Sequence, residues 1–378
     1  MKGGLTDMKA IKNVRIIRGG RILDETVLLY ENRILDVASE VPAVADVLDG
    51  HGLYLCAGLI DQHIHGYRGE DTMTHSPAGM AAALPENGVT AFLPTTMTMD
   101  KEAIARAMER IREEQKILHG ARVLGCHMEG PFIHPSKKGA QDGTFIVPPD
   151  RGMVEPFADV IRLVTYAPER DASGTFARWL RELGIVPSIG HTTANYEEAR
   201  SAYEAGAQST THFFNAMPPL HHRDPGVIGA ALEGDAYIEL IADTIHVSPH
   251  LFPILTRLKK DRICLITDCM EAGGLPDGRY ALGGQPVEVR DRRARLLDGT
   301  LAGSVLKLNE GVRNMARFGE VSLPEAIRMA TENPARLLGI EKEMGTLLPG
   351  TLADFILMDE ACNIRATFVD GACVFSNR

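Results

Sequence analysis

No apolar run in the chain approaches the roughly 18 residues that cross a bilayer, which excludes a membrane-spanning helix and predicts no membrane partner. An excess of basic residues is also missing. Lys and Arg number 40 against 50 Asp and Glu, for a formal charge of −10, and the basic residues are scattered. Nucleic acid is excluded as the main partner, because phosphate backbones recruit basic faces. Any phosphate recognition must then be local. The six cysteines (Cys56, Cys126, Cys264, Cys269, Cys362, Cys373) form no CxxC pair, and the N-terminus lacks the apolar segment of a secretory signal. A reduced, cytoplasmic setting is the expectation. Met8 offers a second possible start, and the stretch before it is left out of the reading.

What is present is a globular composition, 44% apolar and 24% charged over 378 residues. That length suits a barrel of roughly 250 residues with an appendage. Short β-rich pieces open the chain, Val14-Arg15-Ile16-Ile17 and Thr26-Val27-Leu28-Leu29-Tyr30, punctuated by turn signals at Gly19-Gly20, Asp24-Glu25 and Glu31-Asn32. The end reads the same way: Asp354–Met358 and Ala366–Val369 precede Asp370-Gly371, a dipeptide favoured in two-residue hairpins. Both ends are expected to pair into one small domain. Between them, eight apolar strands alternate with helical stretches. The strands are centred on Gly58–His65, Val89–Thr95, Ala121–His127, Ile161–Tyr166, Ile185–His191, Gln208–Phe213, Tyr237–Ala242 and Ile263–Thr267. The helical stretches include Lys101–Leu118, Thr175–Leu183 and Tyr196–Ala205. The fold class that follows is α/β: a (β/α)8 TIM-type barrel over 57–344 with a small β-sandwich from 1–56 and 345–378.

Reactive side chains recur where these strands end. His63 and His65 close the first, Glu129 the third, His191 the fifth, His212 the sixth and Asp268 the eighth. In a barrel these ends share one face, so residues remote in sequence converge there. Imidazole and carboxylate suit zinc, iron or a similar divalent ion, and an open coordination position lets water ionise near neutral pH. Each residue also has a structural alternative. An isolated HxH is common, His191 and His212 could be hydrogen-bonded core histidines, Glu129 could pair with an arginine, and Asp268 could cap the segment that follows it. Their joint placement at strand ends weakens those alternatives together.

The stretches Ala57–Gly66, His127-Met128-Glu129-Gly130-Pro131-Phe132, Gly190-His191-Thr192, Thr211–Met217, Thr267-Asp268, Gly274–Gly278 and Asp298–Ser304 resemble the N-acetylglucosamine-6-phosphate deacetylases of the amidohydrolase superfamily. HxEGPF followed by THxFNAM is the specific part, and the resemblance spans nearly the whole chain. It implies a barrel with a β-sandwich from both ends, one or two divalent ions per chain, and a phosphosugar substrate. Zinc or iron is the first expectation, with manganese, cobalt, nickel or cadmium as alternatives. Glu129, His191 and His212 would hold the principal ion, and His63 and His65 a second, with Glu129 bridging. Many binuclear relatives bridge through a carboxylated lysine after the fourth strand, but Leu163–Ala167 contains none, which argues against a dihydroorotase-like cyclic amidase.

By the same resemblance Asp268 acts as general base and then general acid, and His246 polarises the acetyl carbonyl; His246 could instead be a surface residue beside a helix start. Asn215 and Ala216 would contact the substrate through their backbone, Ala140 and Gln141 would line the sugar, and Leu301, Ala302, Gly303 and Ser304 would close the pocket. Arg223 would reach the phosphate from the neighbouring subunit of a homodimer, the alternative being a pair with Asp224. The Lys137-Lys138 pair is set aside as solvated. The expected reaction is deacetylation of N-acetylglucosamine 6-phosphate to glucosamine 6-phosphate and acetate. The galactosamine epimer as substrate, and a catalytically silent sugar-phosphate-binding homologue, are the alternatives.

Overall fold

A computed structural model describes residues 8–43 and 45–377; the question of the start concerns residues 1–7, outside that range. The two chain ends meet in one seven-stranded sheet, in the order Ala372–Ser376, Ile364–Val369, Phe355–Met358, Asp46–Ala57, Lys9–Arg18, Arg21–Tyr30, Ile34–Ala38. The seam is the antiparallel pairing of Phe355–Met358 with Tyr54–Ala57. Its core includes Ile16, Leu28, Tyr30, Phe355 and Phe368. Gly19-Gly20 and Asp370-Gly371 both turn two-residue hairpins with positive φ at each residue, the geometry that matches strand twist. Asp24-Glu25, read as a turn, instead lies inside Arg21–Tyr30. The pairing shifts there, between Val14↔Thr26 and Ile16↔Leu23, and Glu25 takes φ 54°, so an irregularity in the ladder absorbs the turn-forming residues.

The barrel strands are Leu59–Ile64, Val89–Thr96, Cys126–Glu129, Ile161–Tyr166, Val186–Ile189, Ser209–Thr210, Tyr237–Ile241 and Ile263–Ile266, paired parallel in that order. They are buried throughout apart from Arg162, as all-parallel strands covered by helices must be. The third expected strand splits into Arg122–Val123 and Cys126–Glu129 at Gly125, whose φ of 142° breaks the ladder. The sixth shortens to two residues because His212, with φ 31°, leaves the extended region. The eighth strand returns to the first through residues beyond its end: His65 N donates to Cys269 O at 2.8 Å and Asp268 N to His63 O at 2.9 Å.

The three expected helices are Lys101–Glu114, Phe176–Glu182 and Tyr196–Glu204. Asp100 caps the first through Ala103 N, and an Asn195/Glu198 capping box starts the third. After the eighth strand, Gly278–Leu282, Gln285–Arg290 and Arg293–Leu296 form an antiparallel three-stranded sheet that the sequence reading did not contain. No helix among the described residues is long and apolar enough to cross a membrane. The six cysteines are free, and all but Cys373 are buried.

Candidate active site

Glu129 is the last residue of the third barrel strand, and its carboxylate is 2% exposed at the centre of the strand-end face. Gly130 follows with φ 76°, and a Cβ there would lie 2.1 Å from Thr98 Oγ1, so only glycine lets the chain turn away directly after the carboxylate. Glu129 Oε1 lies 3.2 Å from His191 Nε2 and 3.0 Å from His212 Nε2, and those two nitrogens are 3.0 Å apart. Glu129 Oε2 faces His65 Nε2 at 3.2 Å. Asp268 Oδ1 lies 3.2 Å from His65 Nε2 and 3.5 Å from His63 Nε2. His191, His212 and Asp268 all take positive φ (47°, 31° and 50°), so strained backbone aims each of these side chains inward.

The outer nitrogens of three of the histidines are occupied. His191 Nδ1 sits 2.7 Å from Lys137 O, His65 Nδ1 3.1 Å from Thr95 O, and His63 Nδ1 3.0 Å from Glu239 Oε2. Each of those oxygens can only accept, so Nδ1 carries the hydrogen and Nε2 presents its lone pair inward. Nε2 lone pairs and carboxylate oxygens crowded at 3.0–3.5 Å repel one another unless a cation or proton lies among them. Two groups of potential ligand atoms result, Glu129/His191/His212 and His63/His65/Asp268. Both have the His/carboxylate chemistry that binds divalent transition ions, so the residues present fit a metal.

The electrostatics follow the same crowding. Burial alone would raise the Glu129 carboxyl, but His63, His191, His212 and His65 hold it well below the usual range. Burial likewise opposes ionisation of Asp268, yet His63 and His65 keep it low. Burial would lower the two imidazoles, and the facing carboxylates win, raising His63 to about 9 and His65 to about 10.

These groups open into a cavity of about 240 Å³ lined also by Ala140, Gln141, Asn215, Ala216, His246, Leu301 and Gly303. The His246 side chain is 7% exposed, not a surface residue, and its Nδ1 meets Asp243 Oδ2 at 2.7 Å, leaving Nε2 for the cavity. Both ends of the Gln141 amide are engaged: Nε2 donates to Glu129 Oε2 at 2.6 Å and Oε1 accepts from Thr98 N at 2.6 Å. Gln141 thus orients the carboxylate while also lining the cavity.

Four expected residues do not line this cavity, the first being His63, which lies fully buried behind His65 and Asp268. Ala302 is fully buried, its N–H paired to Ala294 O. Ser304 pairs with the residues that close the barrel, and its hydroxyl donates to Thr267 O at 2.5 Å. Thr300, Leu301 and Gly303 line the cavity, while these two face away. Arg223 is exposed outside the cavity, with Nη1 2.7 Å from His222 Nε2 and no ion pair to Asp224. The cavity lining itself holds no lysine or arginine among the described residues.

Sequence reasoning missed Glu239, Gln62, Asp243, Met97, Thr300 and Leu282. A signal existed for Glu239: a carboxylate inside the apolar strand Tyr237–Ile241 must be paired if buried. Leu282 arrives on the unexpected three-stranded sheet. A larger cavity, about 840 Å³, opens on the terminal sheet around Tyr30, Leu53 and Phe368, but none of the converging ligand groups reaches it.

The barrel, its appended sheet and this strand-end site define a metal-dependent hydrolase of the amidohydrolase type. The amidohydrolase family matches residues 54–374, and the chain belongs to that family. It is 40% identical to the N-acetylglucosamine-6-phosphate deacetylase of Bacillus subtilis, over 99% of this chain and 96% of that one. It is 36% identical to the N-acetylgalactosamine-6-phosphate deacetylase of Escherichia coli O157:H7, over 94% and 98%. Among solved structures, an aspartate-to-alanine mutant of the Mycobacterium smegmatis N-acetyl-D-glucosamine-6-phosphate deacetylase, in complex with N-acetyl-D-glucosamine 6-phosphate, superposes with a TM-score of 0.91. The identity there is 28%, covering 98% of this chain and all of that one.

Proposed function

We propose that this chain hydrolyses the N-acetyl group of N-acetylglucosamine 6-phosphate, releasing acetate and glucosamine 6-phosphate. The observation that carries this reading is the convergence of Glu129, His191, His212, His65 and Asp268 on one cavity, with His63 buried directly behind them, in a chain similar over its whole length to a deacetylase of that phosphosugar.

Glu129, His191 and His212 would hold a divalent ion, which would supply Lewis acidity and lower the pKa of water at the site. Asp268 takes a proton from the attacking water as the carbon–oxygen bond forms. It returns that proton to the sugar nitrogen as the carbon–nitrogen bond breaks, so acetate and the amine leave in balance. His246, whose doubly protonated form Asp243 favours against the effect of burial, donates from Nε2 to the carbonyl oxygen as negative charge builds there. Asn215 and Ala216 offer backbone contacts to the substrate, and Arg223 of a second copy supplies the cation that one chain's cavity lacks. On this reading the protein is a cytoplasmic homodimer with zinc or iron, manganese, cobalt, nickel and cadmium being the other candidates. His63 and His65 would hold the second ion.

The test is acetate release by purified, metal-loaded protein. Asp268→Asn should lower kcat by about 10²–10⁴-fold with KM little changed. Wild-type turnover no greater than that of this variant would overturn the reading. The E. coli relative favours a second reading, the galactosamine epimer, and kcat/KM on both phosphosugars separates the two. Elemental analysis of anaerobically purified protein identifies the metal. Light scattering tests the dimer.

A further inference from the structure

Glu239 sits in the seventh barrel strand, wholly buried, and the mechanism above does not use it. Its two oxygens accept three N–H donors. Oε1 takes Gln62 Nε2 at 2.7 Å; Oε2 takes His63 Nδ1 at 3.0 Å and, at 3.3 Å, the backbone N–H of His212. One carboxylate therefore touches a side chain of one ligand group and the backbone of the other. On its far side the His63 ring packs edge-on against His127, with centroids 4.4 Å apart. His127 is itself tied to Thr165 Oγ1 at 2.7 Å.

His63, His127 and Glu239 also approach one another closely enough to suggest a third metal group. The hydrogen bonding argues otherwise, since both Glu239 oxygens are already engaged by N–H donors and His127 Nε2 by a hydroxyl. We infer that Glu239 is a positioning residue: it fixes the His63 ring with Nδ1–H turned outward and Nε2 turned towards Glu129 and Asp268. Partners of this kind orient ligand imidazoles, and removing one typically weakens metal binding about 10- to 100-fold.

The role depends on reach and on an accepting oxygen, not on charge. Gln62 Oε1 has no hydrogen-bond partner, so the Gln62 amide can turn over and accept from a new amide at position 239. Glu239→Gln thus keeps an oxygen for His63 while losing the charge. Glu239→Asp keeps the charge but falls one methylene short.

The inference rests on the two-ion reading of the site for its metal readout only. Zinc titration of the metal-stripped protein should give Glu239→Gln a second-ion affinity within about threefold of wild type, and Glu239→Asp one weakened about 10- to 100-fold. Crystal structures of the metal-free variants should show His63 in place in Gln and turned or displaced in Asp. A His63 ring that stays in place in Glu239→Asp, or one lost in Glu239→Gln, overturns the assignment whatever the stoichiometry. If wild type binds only one zinc, the two-ion reading fails, and the ring position still decides the role of Glu239.

Discussion

Buried charge is handled in opposite ways at the two ends of the barrel. Before the strands begin, buried cations are spread apart, each with its own local partner. Arg122 meets Asp354 at 2.9 Å and Asp370 at 3.0 Å, which ties the barrel to the terminal sheet, and Lys259 donates to Gly234 O. Beyond the strand ends, Glu129, Asp268 and four histidines face one another with no lysine or arginine in the cavity lining. His63 Nε2 and His212 Nδ1 lack hydrogen-bond partners there, and strained residues supply two of the histidines. The first arrangement serves stability. The second spends it on a concentration of ligand atoms that only a bound cation relieves.

Substitutions at the two ends should therefore fail in different assays. The largest effect belongs to Glu129→Gln, which weakens the carboxylate of the first ligand group, whose other oxygen faces His65 of the second. Acetate release should fall to background and bound metal below one ion per chain, with the fold retained by circular dichroism. His63→Asn comes next, since it removes one group and spares the other: elemental analysis should find the second ion lost and the first kept. Loss of both ions would show that the two groups are not separable.

At the opposite end, Asp354→Asn leaves Arg122 half-paired in a mostly buried position and should cost about 3 kcal/mol in denaturant unfolding. Its kcat should stay within about twofold of wild type, since Asp354 lies at the other end of the strands. Lys259 gives the smallest effect and a pH signature. Burial lowers its amine to about 8 from an ordinary value of 10.5, so the folded state resists the charged form. That penalty is complete below pH 8 and fades as the pH rises towards 10.5, so stability from this group increases with pH across that window. Lys259→Met should stabilise the protein by about 1 kcal/mol at pH 7, after allowing for the lost bond to Gly234, with the gain vanishing near pH 10. A gain that persists at pH 10 would assign the effect to packing.

Much of the site could be read from residue types at strand ends, because strand periodicity is local and a parallel barrel brings all its strand ends to one face. That logic identified Glu129, His191, His212 and Asp268 as candidates. It could not say which way a residue faces in irregular chain, so Ala302 and Ser304 were grouped with Leu301 and Gly303 although they turn away. Nor could it reach Glu239 or Asp243, whose partners are hydrogen-bonding groups of the barrel ends rather than members of a motif.

By itself the sequence determined the alternating βα pattern, the pairing of the two chain ends and the inventory of ligand atoms. These follow from hydrophobic period, turn dipeptides and side-chain chemistry, all written along the chain. Only the tertiary structure decided how those atoms are aimed: Nε2 inward because Nδ1 meets Lys137 O, Thr95 O or Glu239, and Arg223 outside its own chain's cavity. Such contacts join residues far apart in the chain, up to 176 positions for His63 and Glu239, and depend on the register of strands that no local pattern encodes.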